Sequence, residues 1–396
     1  MGNPKEVAVP GPPVLTPTVV AHAAFVPTGI VNVLLGPLLP TLAARWLLTD
    51  TQAGDLFTAQ FLASTGGVAL SGLLVPRFGY RLALLLGLMS MALGVVALEG
   101  GTWGMGMAAV SCYGIGFGLT TPTSNLLVAE ANPDRKAVAL SLLNFSWSVG
   151  AVACPLLVSF FQKSGQTTRF LDFLGAGICL VAIFLAGVRM PATRVDPSTS
   201  ANPRRSLARL LGSPTAVALG GLFFLYVGSE NAVGGWLASY AKRFVENPGV
   251  AWITTPSYFY GSLLLGRLLV PTMFGRIPEV KLARSALALA IAGVAALVAS
   301  RSMPAVRGSA CLIGVGLAPV YPITIAWLSN RFGAASTRLG SVMFALAGFG
   351  AASMPWLVGL ASTESHSLKL GLTVPLVGCI LMLGLYLRDG SPVSAP

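Results

Sequence analysis

One acid stands apart from every other by its surroundings. Glu230 follows 20 uncharged residues (210–229) and precedes 11 more (231–241) before Lys242. In helical form the rise of 1.5 Å per residue puts it about 18 Å from Lys242. An ionised carboxylate at such depth in an apolar stretch costs several kcal/mol unless it is paired or faces a water-filled cavity. Such a group can take up and release a proton, ligate a cation or bond a substrate hydroxyl. Elsewhere in the sequence, and beside it at Asn231, amides lie in otherwise apolar runs: Asn32, Gln60, Asn125, Asn144 and Asn231. Each carries both a donor and an acceptor, which suits a hydroxylated ligand. Trp147, Trp236 and Tyr321 offer rings that could cover the apolar face of such a ligand. Asn144 and Trp147 are three apart and so share a helix face. The same side chains also serve as hydrogen bonds between membrane helices, and that reading stays open here.

What is absent narrows the chemistry further. The sequence has no GxxxxGK[ST], HExxH or nucleophile elbow. His22 and His366 form no metal spacing, and the five cysteines lie in apolar stretches without a CxxC. These residues point to binding without catalysis. No enzyme and no cofactor are expected beyond a coupling proton or sodium ion.

The elements that must carry these side chains follow from composition. Of 396 residues 54% are apolar and 10% charged, with mean hydropathy +0.77. A soluble domain carries roughly 25% charged residues, so most of this surface must face lipid. Charges punctuate the chain into apolar stretches at 7–44, 56–76, 82–98, 100–129, 137–162, 173–188, 210–241 (broken by Glu230), 247–266, 285–300, 308–330, 339–363 and 370–387. A helix needs about 20 apolar residues to cross a bilayer. The stretches therefore predict an all-α integral membrane protein of twelve transmembrane helices. Period-2 alternation is absent, which excludes a membrane barrel.

Assigning the connections alternately to two sides places 17 of the 25 lysines and arginines on the side of the termini, Arg267 among them. The positive-inside rule then predicts a multi-pass protein of the cell (inner) membrane with cytoplasmic N- and C-termini. It also accounts for the net charge of +12, so no nucleic-acid partner is expected. The N-terminus, with PGPP at 10–13, lacks the order of a cleaved signal peptide. The chain divides into an N-terminal tail (1–17), a six-helix half (18–188), a cytoplasmic linker (189–212), a second six-helix half (213–388) and a C-terminal tail (389–396). Within the linker, RRSLARLL (204–211) could form a short surface helix.

The two halves repeat one pattern. At an offset of 200, Gly114, Gly116, Pro122, Ser141, Gly150 and Pro155 meet Gly314, Gly316, Pro322, Ser341, Gly350 and Pro355. At 199, Gly29, Asn32, Gly36 and Leu38 meet Gly228, Asn231, Gly235 and Leu237. GLLVP at 72–76 meets GRLLVP at 266–271 with one residue inserted. Parallel halves related by an axis along the membrane normal suit a transporter whose site lies between them at mid-membrane.

GLLVPRFGYR at 72–81 resembles the signature Gly-x-x-x-Asp-Arg-x-Gly-Arg-Arg of the major facilitator superfamily. It keeps the gate residues Gly72, Arg77, Gly79 and Arg81, with Pro76 where the acid belongs. Within that superfamily GIVNVLLGPLLPTL (29–42), GIGFGLTTPTSN (114–125) and LLNFSWSVGAVACP (142–155) resemble the fucose/glucose/galactose–proton symporter group. YVGSENAVGGW (226–236) is similar to span seven of sodium-dependent glucose-transporter-like proteins. The resemblance implies the major facilitator fold and a transporter of a small hydroxylated solute, a monosaccharide first of all, working by alternating access. An exporter of amphipathic drugs or lipids is the alternative. The resemblance also implies sugar contacts at the positions of Asn144 and Trp147. It places Asn32 and Thr121 where the symporters carry protonatable acids, which leaves Glu230 as the coupling candidate. Few intramembrane cations are in view to hold a carboxylate substrate. The expected partners are the solute and membrane lipid, and the expected state is a monomer.

Overall fold

The computed structural model describes residues 17–188, 190, 212–244, 249, 251–273, 276–333 and 336–389. The predicted linker and both tails lie almost wholly outside the described residues, as does the helix proposed at 204–211. Within them the first half holds α1 (Pro17–Val33), α2 (Leu35–Trp46), α3 (Asp50–Ala97), α4 (Trp103–Ala131), α5 (Lys136–Lys163) and α6 (Thr167–Gly187). The second half holds α7 (Pro214–Lys242), α8 (Thr255–Met273), α9 (Glu279–Ala299), α10 (Met303–Leu317), α11 (Val320–Phe332), α12 (Ser336–Ser365), α13 (Leu368–Gly371) and α14 (Thr373–Asp389).

These elements make twelve spans. Eight helical stretches are long and apolar enough to cross a bilayer alone, and the α1–α2 pair, bent by 42°, makes a ninth. The bend falls one turn before Pro37, which lacks the N–H to continue the ladder. α3 counts twice. As a straight rod its 48 residues would reach about 72 Å, more than twice the ~30 Å hydrocarbon core. Instead it folds back at Gly79, whose φ of 80° is left-handed and suits a residue without Cβ. Gly67 and Gly87 both pack on the 115–118 stretch of α4, while Gln60 and Gly94 both reach Tyr113. Positions equally far from residues 77–78 thus stand at one height, as a hairpin requires. The loop expected at 77–81 is therefore reduced to a sharp turn at the non-helical Gly79 between two helical segments. α4 and α8 complete the twelve. They are less apolar because α4 carries the Thr120–Asn125 run and α8 carries Arg267.

The repeated glycines are helix crossings. A Cβ on Gly29 would run into the Trp147 carbonyl, and one on Gly150 into the Val26 carbonyl, so α1 and α5 cross backbone to backbone. Gly228 and Gly350 do the same for α7 and α12, through the Gly350 and Phe224 carbonyls. Close approach through small residues is how helices pack where lipid removes the hydrophobic drive between them. Side chains on the outer surface, such as Phe160, Ile183, Val217 and Leu269, are apolar and exposed, as contact with acyl chains demands.

Candidate functional site

Hydrogen bonds that join the halves gather at the end opposite the chain termini. α3 starts with a capping box between Thr49 and Gln52, which sets the first turn against the last turns of α12. Asp50 accepts from Arg243 at 2.8 Å and from Ser362. The Thr51 N–H and hydroxyl both lie 2.9 Å from the Thr363 hydroxyl. Further in, Trp356 donates to Asp55 at 3.0 Å and Thr58 to the Ala352 carbonyl at 2.9 Å. Lys242 reaches the Pro40 carbonyl at 3.3 Å. The two halves are closed against each other there, while Asn144, near the opposite end of α5, is exposed.

Just below this seal α2 meets α7 at Gly36 and Gly234–Gly235, where a Cβ on Gly36 would stand only 3.0 Å from the Gly234 carbonyl. The contact opens a cleft lined by Asn32, Val33, Gly36, Phe57, Phe61, Asn231, Gly235 and Tyr260. Asn32 and Asn231, matched by the repeat at an offset of 199, thus face one space across the pseudo-two-fold axis. Beside the α1–α2 break Gln60 donates to the Asn32 carbonyl at 3.0 Å. Asn231 donates to the Val227 carbonyl of its own helix at 2.8 Å. The Asn32 side-chain oxygen is buried and has no partner among the described residues. A buried acceptor left unmade costs about 1–3 kcal/mol, so this atom is waiting for a donor. The cleft is small, about the size of a single water, so in this conformation it has room for no more than one hydroxyl group of a ligand.

Next to the cleft Glu230 is indeed paired. Arg267 of α8 places Nη2 at 3.3 and 3.5 Å from its two oxygens and 3.1 Å from the Tyr226 hydroxyl. Tyr226 stacks on Tyr321, ring centroids 5.3 Å apart, and Tyr260 lies seven residues before Arg267 on the same face of α8. The pair is not sealed, since 27% of the Arg267 side chain and 12% of that of Glu230 remain accessible. Its N–O distances exceed the roughly 2.7–2.9 Å of strong charge-assisted bonds. Arg267 corrects two sequence expectations. α8 runs to Met273, past the charge taken to end its span at 266, so Arg267 is not a loop residue, and an intramembrane cation does exist. The signal was present: Arg267 is the residue inserted in GRLLVP relative to GLLVP.

The remaining candidates divide. Gln60 is buried, with its oxygen accepting from Tyr113 at 3.0 Å and its NH2 group on Asn32. It knits α1, α3 and α4 together and shapes the cleft from behind. Trp236 is buried in the seal, its N–H on the Pro355 carbonyl at 2.8 Å and its ring 6.1 Å from Phe57. Neither touches open space in this conformation. Asn144, Ser148 and Val152 form one stripe of α5, and Ser257 of α8 donates to the Val152 carbonyl at 3.0 Å. Asn144 thus lies on the stripe that meets the second half, and its side chain bonds the Leu140 carbonyl of its own helix. Trp147 is partly buried beside it, and Asn125 bonds the Thr121 carbonyl.

The family model of the Major Facilitator Superfamily matches residues 22–355. The chain belongs to this superfamily. The glucose/mannose transporter GlcP of Bacillus subtilis is 24% identical over 384 residues, covering 93% of each chain. Sodium-dependent glucose transporter 1 of Rattus norvegicus is 30% identical over 141 residues, 35% of this chain and 29% of that one. The crystal structure of the E. coli fucose:proton symporter superposes with a TM-score of 0.64 at 18% identity, over 95% of this chain and 99% of the other. That likeness establishes the fold. The chain is a multi-pass membrane transporter and no enzyme.

In this facilitator the signature at 72–81 is built into the first half. Gly79 makes the α3 kink. Arg81 donates to the Val188 carbonyl at the end of α6, a cation placed at the negative end of a helix dipole. Arg77 and Gly72 are exposed.

Proposed function

We propose that this facilitator carries a monosaccharide by alternating access, binding one hydroxyl of it between Asn32 and Asn231. The observation that carries the reading is the unpartnered Asn32 oxygen, buried in a cleft on the axis between the halves. A sugar hydroxyl supplies the missing donor, and Asn144, Trp147, Asn125 and Tyr321 line the way from the open end. The glucose carriers among its relatives support the same solute class. The basic residues on the side of the termini put that side in the cytoplasm, so the conformation is inward-facing. One chain encloses the cleft unaided, which supports a monomer.

Glu230 is the coupling group in this reading. It stands one residue from Asn231, and its ionised form is held by Arg267 and Tyr226. Its protonation would release the arginine as the halves alternate. The test uses proteoliposomes with labelled D-glucose under an imposed proton or sodium gradient. Wild type should accumulate glucose uphill. Glu230→Gln should lose accumulation and keep solute exchange. A wild type that moves no monosaccharide overturns the reading, and one that moves it without regard to either gradient overturns the coupling role.

A further inference from the structure

Arg267 holds more than its pairing with Glu230 uses. Among the described residues Nη2 is the one nitrogen of its guanidinium that donates. Guanidinium carries five N–H donors, so Nη1 and Nε keep theirs. Neither atom is buried without a partner, and 27% of the side chain is accessible. Its guanidinium reaches Tyr226 and Glu230, both buried, so these donors lie within the bundle and not on its outer face. Charge narrows what those donors can take. With Glu230 ionised, the cluster sums to zero and holds no excess positive charge to draw a carboxylate. Free N–H donors on a locally neutral platform beside a tyrosine ring suit a neutral oxygen.

Resting on the sugar reading above, we propose that Arg267 binds the solute directly, donating from its free amino group to one sugar hydroxyl oxygen while Nη2 stays on Glu230 and Tyr226. Asn32 then grips one edge of the sugar from the first half and Arg267 another from the second. The bound sugar bridges the halves. Lysine could balance Glu230 but could not hold it and a hydroxyl in the same fixed fork.

The test is a cycle of sugars against variants. Equilibrium binding of D-glucose and its monodeoxy analogues is measured on purified wild type and on Arg267→Gln. Wild type should bind one of the analogues about ten- to hundredfold more weakly than glucose because that analogue lacks the hydroxyl that contacts Arg267. In Arg267→Gln glucose itself should weaken by a similar factor, and the penalty for that one analogue should vanish while the others persist. If every deoxy penalty of the wild type persists in the variant, Arg267 only holds helices together and the proposal is overturned. Should Arg267→Gln fail to fold, the neutral double variant Glu230→Gln/Arg267→Gln is compared with Glu230→Gln in the same cycle, with the same two outcomes. A wild type that binds no monosaccharide overturns the sugar reading itself, a result distinct from a persisting penalty.

Discussion

The two seams that close the far end of the molecule are equivalents under the repeat, yet their chemistry differs. Between α3 and α12 runs a polar ladder from Asp50 with Ser362 through Thr51–Thr363 and Asp55–Trp356 to Thr58, reinforced by Arg243. Its counterpart between α8 and α5 has Ser257 on the Val152 carbonyl. No Asp, Glu, Lys or Arg stands in the facing stretches 144–162 and 255–266. The repeat preserves where backbones cross and leaves the side chains free to diverge. One seam therefore acts as a latch and the other as a smooth bearing. The site follows the same division: the first half offers neutral amides at Asn32 and Gln60, the second a charged cluster at Glu230 and Arg267.

The latch is broken most severely by bulk. A Cβ on Gly359 would already collide with the Asp50 carbonyl, so Gly359→Leu should prevent closure. Overpacking of this kind costs about 1–3 kcal/mol, and 2 kcal/mol is roughly thirtyfold in population. A cysteine at Ala352, buried in the closed seam, should then react with an impermeant maleimide at least tenfold faster, read in a background without the native cysteines. Asp50→Asn should act more gently. Arg243 and Asp50 are 44% and 28% exposed, where an ion pair contributes under about 1 kcal/mol. A few-fold rise in labelling is expected. High salt should raise the wild-type rate and leave that of the variant nearly unchanged, because only a surface charge pair is screened. The smallest effect belongs to the bearing. Ser257→Ala removes one hydrogen bond to a carbonyl that already has a helical partner, and labelling should change by no more than about twofold. An effect as large as that of Asp50→Asn would abolish the distinction between the seams.

Much of this was legible because lipid imposes simple rules. Charge-free stretches located the spans, and glycines matched at fixed offsets revealed the two halves, although only the structure shows that Gly29, Gly150, Gly228 and Gly350 are helix crossings. The Asn32–Asn231 match anticipated two residues that meet in one cleft. The rest was hidden for a physical reason. In a membrane helix both the lipid face and the packed face are apolar, so hydrophobic pattern does not say which way a side chain points. Trp236 therefore looked available and is sealed, and Gln60 looked like a ligand group and bonds Tyr113 and Asn32. Reading charges as span ends also misplaced Arg267, since a cation buried beside an acid looks the same in sequence as one in water.

The central claim is that Asn32 lacks a donor which a sugar hydroxyl provides. Equilibrium binding of D-glucose to purified wild type and Asn32→Ala tests it most directly, with thermal melting to establish that both are folded. Wild type should bind saturably, and Asn32→Ala should bind about ten- to hundredfold more weakly. A folded Asn32→Ala that binds glucose as tightly as wild type would contradict the account.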